Sequence, residues 1–535
     1  MDPVANLKDA VAQTASSLAS DGRVAPPKLD RPKQAGFGDY STNAAMLLAP
    51  TLGEPPRAIA ERLGDVLGER LGETVAKVEV AGPGFLNLFM SDRWYLDALA
   101  GVLEAGADYG ASSAGERVNV EFVSANPTGP ITIASARHAA YGDALCRVLE
   151  RAGYDVDREY YVNDAGTQVR RFGESILARA RGEEPPEDGY RGDYVTAVAG
   201  RIDGAAQLDA DELALRGVEL MVDDVRVSLD RFRVHMDTYF FEHTLHADEI
   251  EAALERLDGV YSSEGALWLR TTRHGDDKDR VLRRSDGEWT YFAPDIAYHL
   301  DKLGRGYDHM IDIWGADHHG YMARLWAAWE ALGAERERLE LLIMQLVNLT
   351  EGGERVQMSK RAGTIATLDD LLDDIGVDAA RWFLTQRNHD TTLDLDLELA
   401  RTESQDNPVY YVQYAHARIA SILRKAGEER VEAALAADLR ASHERFHPSA
   451  RALVKRLLEL PGDIRDAAER RAPHRMTTYA TETAQDFSAF YRDCRVVGAA
   501  EEGGDEDVRI AACVATQRVL SQALDLLGVE APESM

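Results

Sequence analysis

The sequence predicts an α/β protein: a parallel-sheet domain between a small N-terminal α+β unit and a C-terminal all-α helical bundle. Three observations carry this. Residues 117–180 run strand, turn, helix, strand, the order that builds parallel sheets. From about residue 410 the apolar spacing is helical throughout, with no segment of strand period. The chain of 535 residues exceeds what one core organises, so three or four domains are expected.

In order, residues 1–112 read as the α+β unit. An opening helix leads to FGDYSTNAAMLLAP (37–50), where Asp39 or Ser41 can cap a helix through Asn43–Leu48. A second helix follows Pro56, residues 75–90 have strand character, and ADYGASSAGE (107–116) is a glycine-rich linker. Residues 113–372 form the sheet domain. RVNVEFVS is a buried strand, SANPTGP a turn, IASARHAAYGDALCRVLERAG an amphipathic helix, and DREYYVNDAG a second strand and turn. A mostly helical insertion covers about 182–255. The sheet resumes with LWLR, WTYFAP and HMIDIWGADHHG and ends near Met358. Residues 373–408 connect to the bundle, 409–535.

Charge and cysteine usage narrow the class. The net charge is −32, from 92 acids against 60 bases, and only nine of the bases are lysines. Such a surface favours solubility through self-repulsion and on average opposes nucleic acid, which needs local positive charge. Residues 451–475 are the exception, with seven bases against four acids: a basic face or a solvated helix. Cys146, Cys494 and Cys513 are isolated, so neither a disulfide framework nor a thiolate zinc site is expected. No apolar run is long enough to span a membrane and the N-terminus lacks a secretory signal, which suits a cytoplasmic protein.

The junction SANPTGP-to-helix (124–135) offers backbone amides and a helix dipole to a phosphate. A second phosphate contact is offered by the lysine loop VQMSKRAG (356–363). Either is weak alone; in this order on a parallel sheet they suggest a nucleotide site at the strand C-termini.

In several long segments the chain resembles the arginyl-tRNA synthetase family. FGDYSTNAA and VAGPGFLNLF resemble its N-terminal domain. VEFVSANPTGP, EYYVNDAG, YFAPDIAYH and DIWGADHHGY resemble its Rossmann-like catalytic domain. QMSKRAG resembles the KMSKS signature, DDIGVDAARWFL the segment after it, and NPVYYVQYAHARI and LLGVEAPESM the two ends of the helical anticodon-binding domain. The resemblance implies a class I enzyme; a monomer is expected, and no zinc, since His318 and His319 have no third ligand at suitable spacing. With ATP and Mg2+ it would activate arginine and pass it to tRNA(Arg).

Residue by residue, it implies an arginine pocket of Glu121, Asn126, Tyr291 and Asp295. ATP contacts fall on Thr132, Ala134, Ser135, His319, Met358, Ser359 and Lys360, with Lys360 on the α-phosphate and Thr132 and Ser135 serving catalysis. Phe85, Asn87, Tyr414 and Arg418 match tRNA contacts; a core role is the lesser alternative for Phe85 and Tyr291, and some of the bundle tyrosines must pack inside. Two departures stand out. The HIGH tetrapeptide is Thr132-Ile133-Ala134-Ser135, so both histidines are replaced by hydroxyls. The first KMSKS lysine is Gln357, with Arg137, Arg355 and Arg361 as candidate substitutes. The alternative these losses raise is a catalytically weakened protein that binds tRNA or arginine.

Overall fold

Five parallel strands form the central sheet: β1 (Arg117–Glu121), β2 (Asp155–Val162), β3 (Thr238–Phe241), β4 (His309–Gly315) and β5 (Leu339–Met344), in the order β5-β4-β1-β2-β3. The computed structural model describes residues 3–19, 25–32, 36–245, 247–356 and 366–535. The strand order reverses between β1 and β4, and a crevice opens beyond the carboxyl ends of such a pair. Val118, Asn119 and Val120 are buried, as a central parallel strand requires.

Helix α1 (Ile133–Arg151) follows the turn after β1 and packs closely on the sheet. At Gly142 a side-chain carbon would lie 2.3 Å from the Phe122 ring, so only glycine lets helix and strand approach this far. Helices α2 (Thr167–Ala180) and α3 (Ala210–Arg231) pack together between β2 and β3. Helix α4 (Phe292–Gly304) leads into β4.

Three expectations change here. The stretch 182–255 is not wholly a helical insertion, because it contains β3, the edge strand of the main sheet. LWLR belongs to a separate antiparallel sheet of Val260–Ser263, Ala266–Leu269 and Arg280–Arg283, over its own core of Leu254, Leu282 and Ile296. WTYFAP enters α4 instead of forming a strand; Pro294 sits in the first helical turn, where its missing N–H costs nothing.

In the N-terminal unit, helices Pro3–Leu18, Ala44–Leu52, Pro56–Leu71 and Asp92–Ala105 cover an antiparallel sheet. Residues 75–90 are a hairpin, Val75–Ala81 and Phe85–Met90. Neither Asp39 nor Ser41 caps a helix: Asp39 accepts from Met90 N, the Tyr95 hydroxyl and Lys455, while Ser41 lies in strand Tyr40–Thr42.

The C-terminal bundle comprises Pro408–Ala426, Glu428–Ala436, Pro448–Glu469, Arg475–Asp493 and Glu506–Asp525. Much of its basic stretch is committed to ion pairs. Arg451 bonds Asp92 and Lys455 bonds Asp39 in the N-terminal unit, Arg471 holds Glu340 beside the sheet, and Arg475 holds Asp463. The expected boundary at 372/373 falls inside helix Leu368–Thr385, which bends at Gly376 (φ 78°). Its buried Arg381 donates to the carbonyls of Leu527 and Phe232 and pairs with Asp143, joining bundle and sheet domain.

Candidate active site

Beyond the carboxyl ends of β1 and β4 lies a cleft of about 1810 Å³. Its floor is an unusual arrangement of charge. In register across three strands stand Glu159, Glu121 and Asp312, three buried acids side by side. Helix α4 neutralises them with residues spaced to share one face, Tyr298, His299 and Lys302, and with Arg305 just after it. Lys302 is wholly buried and bridges Glu121 (2.6 Å) and Asp312 (2.9 Å). Arg305 holds Glu159 through two bonds of 2.7 and 2.9 Å, and His299 Nε2 lies 2.9 Å from Asp312. Burial pushes Asp312 up, but Lys302 and His299 outweigh it and hold the carboxylate down at about 2.

Glu121, expected in the arginine pocket, is therefore engaged already. One carboxylate oxygen meets Lys302 and the Tyr298 hydroxyl, and the other accepts from Ser124 at 3.0 Å. It borders the cleft but is only 6% exposed.

Two other carboxylates on the cleft wall differ. Asp295, one turn before His299 on α4, accepts a bond from the Tyr321 hydroxyl. Burial pushes its carboxyl up, against pulls from Tyr321, His299 and His318. Glu242, just after β3, is pushed up to about 7 by burial, with Asp295 and Asp164 adding to the rise and Tyr161 opposing it. Neither forms an ion pair with a described residue. Two desolvated carboxylates facing one cavity without a cation form a receptor for one, and a guanidinium fits through paired charge-assisted bonds. Tyr161 lies close enough to feel both charges, and its ring is 4.6 Å from that of Tyr298.

The turn after β1 is strained. Val123 (φ 71°) and Ser124 (φ 37°) are both left-handed, at about 1–3 kcal/mol each. Ser124 Oγ donates to Glu121 and accepts from Tyr161 N, which fixes the turn and presents Asn126 exposed at the cleft. Thr132 is the N-cap of α1, accepting from Ser135 N at 3.3 Å; the hydroxyls of Thr132 and Ser135 are also 3.3 Å apart. Ala134 is exposed beside them. Tyr291 is 63% exposed and lies against Gly166, which excludes a core role.

Other expectations fare differently. His318, not His319, lines the cleft, though both are exposed. Met358, Ser359 and Lys360 lie outside the described residues, as do Gln357 and Arg361. The flanking residues Val356 and Thr367 both border the cleft. Arg137 is fully buried and donates to the carbonyls of Gln345 and Asn388, so it does not reach the cavity. Arg355 is exposed away from it. Phe85 is 38% exposed, but Asn87 is 4% exposed with its carbonyl held by Ser41, so it does not present its amide as a free reading edge. Tyr410, Tyr414 and Arg418 stack in series on the bundle, Arg418 also reaching the exposed Tyr491. Sequence reasoning missed Glu242, hidden because β3 was read as helix, and Lys302, whose signal was the i, i+3, i+4, i+7 series 295, 298, 299, 302.

Comparison with known proteins places the whole chain in one family. Family profiles match residues 5–90 as arginyl tRNA synthetase N terminal domain, 215–421 as tRNA synthetases class I (R), catalytic domain, and 412–535 as DALR anticodon binding domain. The chain is 44% identical to the arginine–tRNA ligase of Bacillus subtilis over 97% of its length and 96% of that protein. It is 45% identical to that of Frankia alni over 99% of this chain and all of that one. The structure of Thermus thermophilus arginyl-tRNA synthetase superposes with a TM-score of 0.78 at 25% identity, covering 99% of both chains.

Proposed function

The chain belongs to the arginyl-tRNA synthetase family, and we propose that its cleft seats the guanidinium of arginine between Asp295 and Glu242. It is an arginine–tRNA ligase. Arginine and ATP give arginyl-adenylate and pyrophosphate; the arginyl group then passes to the 3′ end of tRNA, releasing AMP.

The observation that carries the arginine site is the pair of desolvated carboxylates without an ion-pair partner. Tyr291 closes the pocket from the start of α4, and Asn126 faces the amino-acid end from the β1 turn. Glu121 acts through Ser124 and Lys302 as a positioning residue. The start of α1 takes the phosphates: its free amides, the dipole and the hydroxyls of Thr132 and Ser135 converge there. Ala134 leaves room for the base, and His318 replaces His319 as the nearby imidazole. Lys360, in the segment whose two flanks border the cleft, meets the α-phosphate. Mg2+ bound with ATP would supply charge neutralisation on the phosphates, and the exposed Asp317 carboxylate on the cleft wall is the side chain that would help hold it.

Phe85 on the N-terminal sheet and the Tyr410–Tyr414–Arg418 series on the bundle offer faces on which tRNA bases can stack. No helix among the described residues is long and apolar enough to cross a membrane, and the substrates suit the cytoplasm.

The test is arginine-dependent ATP–pyrophosphate exchange with tRNA present. Asp295→Asn should raise the KM for arginine by about 100-fold or more while leaving that for ATP nearly unchanged. An unchanged arginine KM would place the guanidinium elsewhere.

A further inference from the structure

One imidazole on the cleft wall has no role in the scheme above. His138 lies on α1 one turn beyond Ser135, on the side that borders the cavity. Its Nδ1 is shut off from solvent and unbonded, and no described residue hydrogen-bonds either ring nitrogen. Nε2 is not among the sealed atoms and has no partner among the described residues, so on the cleft wall it is the nitrogen left for a ligand to meet.

The state of the ring narrows that partner. Burial and the neighbouring Arg137 hold His138 down to about 4, His318 adding to the effect and Asp317 opposing it. At working pH it is neutral, with one N–H donor and one bare acceptor. A phosphate oxygen only accepts and is best met by charged donors. An alcohol both gives and takes a bond, and so matches a neutral imidazole.

Position agrees with chemistry. Thr132 and Ser135 occupy the first turn of α1, where phosphate is favoured, and His138 lies about 5 Å further along the helix. Opposite it is the end of β4. A side-chain carbon at Gly315 would stand 3.9 Å from His138 Cε1 and 2.7 Å from Asp317 Oδ1, so the missing side chain keeps the space beside the ring open.

We propose that His138 binds the ribose of ATP, its imidazole hydrogen-bonded to a sugar hydroxyl. This rests on the cleft being the ATP site of an arginine-activating enzyme. His138 thereby becomes a nucleotide-selecting residue: the hydroxyls at positions 132 and 135 serve the phosphates and the imidazole serves the sugar.

The experiment compares ATP, 2′-deoxyATP and 3′-deoxyATP in exchange assays with arginine and tRNA, using the full chain, His138→Ala and His138→Asn. The unaltered protein should prefer ATP over at least one deoxy analogue by about tenfold or more in kcat/KM. His138→Ala should shrink that preference to about twofold, His138→Asn should restore part of it, and the arginine KM should stay within about threefold. Should His138→Ala fail to fold, His138→Met, which fills the space without an N–H donor, takes its place. A preference that survives loss of the imidazole overturns the proposal, as does its absence from the unaltered protein. Calorimetric binding of the three nucleotides reads the same selectivity without turnover. A chain that selected the ribose yet failed to activate arginine would overturn the functional reading and leave this inference standing.

Discussion

Thr132 and Thr367 face each other in an isolated antiparallel bridge, and beside it Leu368 N–H donates to the Ile131 carbonyl at 2.8 Å. The first residue of the HIGH-like tetrapeptide is thus tied to the exit of the segment that carries Lys360. The two pieces proposed to meet phosphate, distant in sequence, thus share one anchor.

Thr132 should matter twice, as a helix cap and as a phosphate donor. Thr132→Val removes the hydroxyl that accepts from Ser135 N. It should cost about 1 kcal/mol of stability and raise the KM for ATP more than that for arginine, while Thr132→Ser restores both. Thermal unfolding and exchange kinetics measure these separately. An ATP KM unmoved by valine would assign the contact to backbone amides.

Glu242 should make arginine binding depend on pH. Burial raises its carboxyl to about 7, so below that it is largely protonated and cannot pair with a guanidinium. Affinity should therefore rise with pH, by about tenfold from pH 6 to pH 8, as the proton is lost on binding. Calorimetry across this range should show that slope, and Glu242→Gln should bind more weakly with little slope. A flat profile in the unaltered protein would remove Glu242 from the pocket.

Lys302 should be a stability residue more than a binding one. Lys302→Met leaves Glu121 and Asp312 buried beside each other without the cation between them. The expected loss is about 3–5 kcal/mol, seen as a lower urea midpoint. Without the lysine both carboxyls would sit above their unfolded values, so the penalty grows as pH rises through the carboxylate range and shrinks as pH falls. A deficit independent of pH would mean that packing, not charge, is what the lysine supplies.

Much of this was legible in the sequence, for definite reasons. The strand–turn–helix at 117–151 and the bundle are long and strongly periodic, and both formed as expected. β3 was not legible, because four residues between helical segments carry too little pattern to separate strand from helix. WTYFAP failed for the opposite reason: its aromatics suit a strand, yet Pro294 fits the first turn of α4. In the site, Asp295 and Tyr291 both line the cleft. Glu121 changed role because its neighbours in register, Glu159 and Asp312, become visible only once the strands are paired. Asn87 and Arg137 were misjudged alike: residue type suggests reach, and burial decides it.

The proposed pocket reads the charge of arginine with two carboxylates, and one comparison tests that directly. Citrulline has the length of arginine but ends in an uncharged ureido group. With tRNA and ATP, the unaltered chain should support exchange with arginine and discriminate against citrulline by about 10⁴-fold in kcat/KM. Citrulline activated within about tenfold of arginine would contradict a guanidinium held between Asp295 and Glu242.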